Sequence, residues 1–225
     1  MHKVVVYHTI SSPEVALPSN IDISPARFES HLQWLAKRAE RVVTMRDLLS
    51  ANDKENLYAI SFDDGFRDNL TVALPLLEKY NLPMTLFAVA GFLGDEGYLS
   101  QEELKTLANH PLITIGSHGL YHRHFSKLSK DEAVFELTES KRILEEITGQ
   151  EIDLLAYPFG DCTRLTEKLS AECGYRAAWS IWNGMNTPHS RWRVPLGRND
   201  NLWRFIAKVS NAYFPVKKII KPPYQ

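Results

Sequence analysis

The 225-residue sequence predicts a single α/β domain. Short runs of β-forming residues alternate with helical patterns over the whole length. Several of the runs are continuously apolar, and no linker rich in Gly, Ser or Pro divides the chain. Alternation of strand and helix signals α/β, continuous apolar strands are what a parallel sheet covered on both faces requires, and roughly 200–250 residues suits one α/β barrel. The domain is taken as 1–225, with a basic amphipathic segment at about 201–225.

The strand candidates, in order, are Lys3–His8, Arg41–Thr44, Leu57–Phe62, Met84–Ala90, Leu112–Gly116, Ile152–Tyr157, Tyr175–Ile181 and Trp192–Leu196. Helices between them carry start and stop signals. Ser100 stands three before Glu103 and Ser129 three before Glu132, each a capping box whose hydroxyl and carboxylate satisfy backbone N–H groups. After Ser129, apolar residues at Ala133, Val134, Leu137, Ile143, Leu144 and Ile147 keep helical period, and Gly149 supplies the left-handed stop. Gly174 closes a helix that runs from about Thr163.

Composition bounds the function. With 44% apolar and 24% charged residues the chain is ordinary globular protein, which excludes collagen, coiled coil and disorder. A net charge of -1 advertises no nucleic-acid partner. The apolar run at the start, Val4 to Tyr7, is short of the about 7–15 residues of a secretory signal. The longest one, Leu82 to Leu93, is broken by Pro83, Thr85 and Gly91 and falls short of the about 20 residues of a membrane span. Cys162 and Cys173 show no CxxC spacing and read as free thiols in a reducing compartment. The expectation is a soluble, cytoplasmic protein. From Ser190 onward, however, eight Lys/Arg face one Asp. Leu202, Trp203, Phe205, Ile206 and Val209 make that segment an amphipathic helix packed on the barrel, with peripheral attraction to an anionic membrane as the sharper alternative.

In such folds chemistry sits at the C-terminal ends of parallel strands, and three polar clusters lie there. Ser61-Phe62-Asp63-Asp64-Gly65 sets two carboxylates side by side, which repel unless a cation is near; alone it could be a plain turn. Gly116-Ser117-His118-Gly119-Leu120-Tyr121-His122 spaces two imidazoles four apart, so both can face one point. His124 falls two positions on and should face elsewhere. Leu155-Ala156-Tyr157-Pro158-Phe159-Gly160 ends another strand and taken alone is a turn. One Asp and two His give three ligands with a position left for water, the pattern of a catalytic metal site. The spare aspartate could then act as general base.

The order SFDDG, HGLYH, AYPFG resembles the polysaccharide deacetylases of carbohydrate esterase family 4, the NodB-homology domain, over about Val4 to Arg198. The resemblance implies a distorted (β/α) barrel and hydrolysis of an N-acetyl group from an amino sugar. It implies Asp63 as base, Asp64, His118 and His122 as metal ligands, and Tyr157, Pro158, Phe159 and Gly160 as the substrate-side turn, with an amide near Tyr157 donating to the oxyanion. The partner implied is an N-acetylated amino-sugar polysaccharide or surface-glycan precursor. The donor set suits Zn²⁺ first, with Co²⁺, Mn²⁺, Fe²⁺ or Ni²⁺ as alternatives.

Three departures stand out. Gly119 replaces a Ser or Thr that could brace the loop. Ala156 replaces an Arg that holds the base, for which Arg198 is the substitute put forward here. The Leu-His motif that supplies the general acid has no match; His8 is put forward in its place, with His189 as alternative. Tyr98, Tyr121, Tyr157, Phe159, Trp179 and Trp182 could stack on sugar faces, although as a set they read as core. Two other functions stay open: a deformylase or other amide hydrolase on a lipid-linked or small substrate, and a silent sugar-binding module on the same barrel.

Overall fold

The computed structural model describes residues 2–10, 20–52, 55–181 and 186–210. Along the chain run β1 (Lys3–Tyr7), α1 (Pro25–Ala36), α2 (Met45–Ser50), β2 (Tyr58–Asp64), α3 (Leu74–Tyr80), β3 (Met84–Ala88) and α4 (Gln101–Ala108). There follow β4 (Ile113–Ser117), α5 (Lys130–Thr148), β5 (Leu154–Ala156), α6 (Arg164–Glu172), β6 (Ala177–Trp179), β7 (Val194–Pro195) and α7 (Leu202–Val209). The seven strands are parallel and form one curled sheet in the order β6-β5-β4-β3-β2-β1-β7. This is the distorted α/β barrel that the sequence predicts.

The segment around β7 makes the closure. Arg191 bridges to Trp179 of β6, its N–H donating to Ala178 O at 3.0 Å. Three residues on, Val194 and Pro195 pair with Val5 and Val6 of β1. Arg193 lies between the two pairings and is 1% exposed.

Because strand side chains alternate between faces, the sheet feeds two cores. One face packs under the helices through residues such as Val5, Ile60, Leu86 and Ile115. The other fills the barrel with Val4, Ala59, Phe87, Leu154 and Trp179, under which Met45 and Leu48 of α2 pack. Along β2 the inner face therefore reads Ala59, Ser61, Asp63: apolar at the floor, ionisable at the C-terminal mouth.

Both capping boxes form, at Ser100–Glu103 and Ser129–Glu132, and Gly149 ends α5 at φ 67°. The expected strand Arg41–Thr44 does not form. Residues 39–41 make a 3₁₀ turn and the Thr44 hydroxyl accepts from the Asp47 N–H to start α2, which leaves only the bridge Val42–Tyr58. Cys162 and Cys173 are free thiols. No described helix is long and apolar enough to cross a membrane. α7 buries Phe205 and Val209, Phe205 stacking on His31 at 4.2 Å, while Trp203 is 78% exposed. Trp182 and the basic residues Lys217, Lys218 and Lys221 lie outside the described residues.

His31 of α1 is completely buried, with Nδ1 3.0 Å from the Tyr7 hydroxyl. Burial lowers its pKa to about 4, the Asp200 carboxylate offsetting only part of that. The unfolded chain takes up a proton near pH 6.5 and the folded chain does not, so this group's stabilisation is whole above about pH 6.5. It drains away as the pH falls toward 4, by about 3 kcal/mol over that window. Urea unfolding at pH 7.0 and 4.5 should show a smaller pH-dependent loss in His31→Gln than in wild type.

Candidate active site

β2 ends on two carboxylates that the backbone separates. Asp63 continues the inward alternation, whereas Asp64 has φ 73° and Gly65 φ 86°, so the chain turns out of the strand at Asp64. Left-handed backbone at a non-glycine residue costs of order 1–3 kcal/mol and persists where surrounding structure enforces it. The Asp64 carbonyl accepts from Val89 N–H at 3.3 Å and the His118 N–H donates to Ala88 O at 2.8 Å. These bonds bring the ends of β2, β3 and β4 to one mouth.

Asp64, His118 and His122 converge there, with one donor atom of each within 4.8 Å of the others. Asp64 Oδ1 lies 3.5 Å from His118 Nε2 and 3.2 Å from His122 Nε2. Ligands about 2.0–2.1 Å from one ion stand about 3–3.5 Å apart, so this spacing is that of a shared coordination sphere. Two further observations fit a cation. Asp64 Oδ1 is buried and receives no well-aligned hydrogen bond, an expensive state for a carboxylate unless a positive charge compensates it. His118 Nδ1 lies 2.8 Å from Ala156 O, and a carbonyl can only accept, so Nδ1 carries the proton. Nε2 is then left with its lone pair toward the cluster, as metal-binding histidines are oriented. Burial lowers the His118 pKa to about 4, with the neighbouring charges partly cancelling one another, so its imidazole is neutral at pH 7.

Asp63 has a different partner. Arg193 donates Nη1–H to Oδ1 at 2.6 Å and Nη2–H to Oδ2 at 2.7 Å, a two-pronged bond between groups 1% and 5% exposed. Nη1 also reaches Ser61 Oγ at 3.3 Å and Nε reaches Ser180 O at 3.4 Å. Burial alone would raise the Asp63 pKa, but the Arg193 charge, followed by His118 and His8, outweighs it and holds the carboxyl below its usual range. Asp63 Oδ2 is 3.7 Å from His118 Nε2, beside the cluster.

Arg198, put forward from the sequence for this pairing, is corrected to Arg193. Arg198 is 42% exposed and binds Asp22, with Nη2 at 2.9 Å from Oδ1, because it lies past β7 on the rim. The signal that could have found Arg193 is a lone charge inside the apolar run Trp192–Leu196, which once buried must be paired.

The remaining candidates divide. His8 follows β1, whose Tyr7 pairs with Phe62 of β2, so it stands beside the strand end that carries Asp63 and Asp64. His189 is engaged elsewhere: its Nδ1 lies 2.9 Å from Ser170 Oγ on α6. Tyr157 is a core residue, its N–H donating to Trp179 O and its hydroxyl to Ser170 Oγ at 3.1 Å, so neither group is free for substrate. Pro158 and Gly160 are buried too, Gly160 at φ 64° where a Cβ would collide with Ile181. Phe159, at φ 60°, is half exposed; it meets the His122 ring edge-on at 4.5 Å and stacks on His124 at 4.0 Å. Tyr121 is 56% exposed, whereas Trp179 is fully buried.

The hydroxyl missing at Gly119 has a substitute that sequence reading overlooked. Glu136 of α5, completely buried, accepts the N–H of Leu120 at 2.7 Å and of Tyr121 at 3.0 Å through Oε2. Gly119 has φ 78°, and a Cβ there would sit 3.3 Å from that same oxygen. The carboxylate thus braces the loop between the two histidines. Glu136→Ala should cost about 3 kcal/mol in urea unfolding, since it strands two amides that now bond a charged acceptor. Glu136→Gln, which keeps a carbonyl, should recover part of that.

The profile of the polysaccharide deacetylase family matches residues 50–178. The chain is 29% identical over 178 residues to YxkH of Bacillus subtilis, a polysaccharide deacetylase by name, covering 77% of this chain and 62% of that one. It is 27% identical over 202 residues to the poly-beta-1,6-N-acetyl-D-glucosamine N-deacetylase of Staphylococcus aureus (strain MRSA252), covering 82% and 69%. The chain thus spans somewhat less than two thirds of YxkH. Among solved structures, the Streptococcus pyogenes deacetylase PplD, in complex with acetate, superposes with TM-score 0.80 at 22% identity, covering 92% of this chain and 97% of that one. That likeness shows the fold. The profile match, spanning more than half of the chain and including all three motifs, shows the family: this chain belongs to the polysaccharide deacetylases.

Proposed function

We propose that the chain is a metal-dependent hydrolase that removes N-acetyl groups from the amino sugars of a polysaccharide or surface-glycan precursor. The observation that carries this reading is the pairing of Asp63 with Arg193 directly beside the cluster of Asp64, His118 and His122. A sugar-binding surface has no use for an ionised, tightly oriented carboxylate at that spot.

Asp64 and the Nε2 atoms of His118 and His122 would hold the ion, for which Zn²⁺ is the first choice on donor type. When bound, a divalent ion supplies Lewis acidity toward the amide carbonyl and lowers the pKa of water to about 7. Asp63, kept ionised by Arg193, takes the proton of the attacking water as general base. As negative charge develops on the carbonyl oxygen, a backbone N–H offers an oxyanion donor. In the Tyr157–Gly160 turn, the Tyr157 amide is tied to Trp179 O, Pro158 has none and the Gly160 amide bonds Tyr157 O, which leaves that of Phe159. His8, at the end of β1 beside the β2 end that carries the two aspartates, supplies the proton that the departing amine needs. Phe159, half exposed beside His122, gives the sugar ring a face to lie on.

The substrate proposed first is a β-1,6-linked N-acetylglucosamine oligomer, because the Staphylococcus aureus relative is named for that polymer. The test is acetate release from such oligomers by wild type and by His8→Ala. Wild type should turn over, and His8→Ala should lose about 10²–10⁴-fold in kcat, the usual worth of a positioned acid. Absence of acetate release from N-acetylated oligomers, with metal supplied, would remove the deacetylase reading.

A further inference from the structure

The segment that follows Asp63 and Asp64 reaches back to the strand end that carries His8. Asn69, completely buried, donates its Nδ2–H to His8 O at 2.9 Å and to Asp68 Oδ1 at 2.9 Å. Asp68 Oδ2 accepts the Ile10 N–H at 3.0 Å and the Thr9 hydroxyl. Three consecutive residues, 8 to 10, are therefore fastened by two neighbouring side chains from the far side of the DDG turn. Both sides of the fastening are rigid. Thr9 and Ile10 are 3% and 1% exposed, and Ile23 N–H donates to Thr9 O at 3.1 Å. The Asp68–Asn69 pair is itself fixed, since Asn69 N–H donates to Phe66 O at 3.0 Å and Arg67 N–H to Gly97 O at 2.9 Å.

The connection matters because of what sits at its end. β1 stops at Tyr7, so the direction of His8 is set by the loop and not by the sheet. The His8 carbonyl is held by Asn69, and the His8 Nδ1 atom is buried without a hydrogen-bond partner among the described residues. With no bond at Nδ1 to fix the ring, the backbone placement set by Asn69 carries more of its orientation. A displacement of about 1 Å at such a position can cost about 10²-fold in rate. β1 is the neighbour of β2, Tyr7 pairing with Phe62, so the bonds to residues 8–10 couple the Asp63–Asp64 turn to a histidine at the adjacent strand end.

We propose that Asp68 and Asn69 form a latch that positions His8 against the two aspartates, so that both are positioning residues for proton delivery to the leaving amine. This rests on the reading of His8 given above. Thr9 and Ile10 are the points at which Asp68 acts, and Asn69 acts on His8 directly.

The test is a double-mutant cycle on the full chain with metal supplied, measuring acetate release from N-acetylglucosamine oligomers and metal content in parallel. Asp68→Ala and Asn69→Ala should each lower kcat tenfold or more, with KM within about twofold and metal content unchanged. Asp68→Asn, which keeps an acceptor for the Ile10 N–H, should recover part of the loss. In a His8→Ala background neither alanine should lower kcat further, since the residue they position is gone. A merely structural role would instead lower stability and subtract equally from both backgrounds. If His8→Ala lowers kcat but neither latch variant does, or if their effects are additive with it, the latch is overturned while the role of His8 stands. If His8→Ala keeps wild-type kcat, both fall. Should Asp68→Ala fail to fold, Asn69→Ala and Asp68→Asn decide by the same comparison.

Discussion

Arg193→Met is expected to yield a protein about 3–5 kcal/mol less stable in urea unfolding, and with kcat/KM reduced at least a hundredfold. The stability loss follows from burial: methionine fills much of the volume, but the buried Asp63 is left without the charge that compensates it. The carboxyl is then governed by desolvation, which raises its pKa, and the desolvated acid holds the proton that a base must be free to accept. Arg193→Lys separates charge from geometry. It restores a cation but not two parallel N–H bonds to Oδ1 and Oδ2, so it should recover much of the stability and only part of the rate. Wild-type kcat/KM in Arg193→Met would show that the pair is structural alone.

Asp63→Asn is expected to remove activity by about 10²–10⁴-fold while leaving metal uptake intact. The carboxamide can still accept from Arg193 but cannot take a proton. Asp64→Asn, one residue on, should behave in the opposite way in the metal assay, since its Oδ1 is the oxygen within 3.2–3.5 Å of both imidazoles. Two adjacent aspartates of the same chemistry would thereby separate into a base and a ligand. The cause is local backbone: β2 alternation points Asp63 inward to Arg193, and the left-handed turn at Asp64 aims that side chain at the histidines.

Those two aspartates and two histidines were legible because each pair is a short-range pattern at a strand end, where a parallel sheet gathers its polar groups. Arg193 was not legible in the same way. Its partner lies 130 residues away, and the pairing depends on how residues 191–195 bind β6 on one side and β1 on the other. The rule that chemistry follows strand ends pointed to Arg198, whereas the barrel interior is reached from a residue ahead of β7. Glu136 was hidden by a similar effect. It lies on the same helical face as Ala133, Leu137, Ser140 and Leu144, all buried, and a carboxylate on a buried face requires donors. Tyr157 was misjudged because a motif position was given a contact with substrate, while the end of β5 turns its ring into the core against α6.

Metal content per chain, by mass spectrometry on untagged protein purified without chelators, tests the central claim most directly. Wild type and Asp63→Asn should each carry about one divalent ion, and Asp64→Ala and His122→Ala should carry almost none after identical treatment. A wild-type protein that stays metal-free after dialysis against Zn²⁺, Co²⁺ and Mn²⁺, or equal metal in wild type and all three variants, would contradict a hydrolytic centre built on Asp64, His118 and His122.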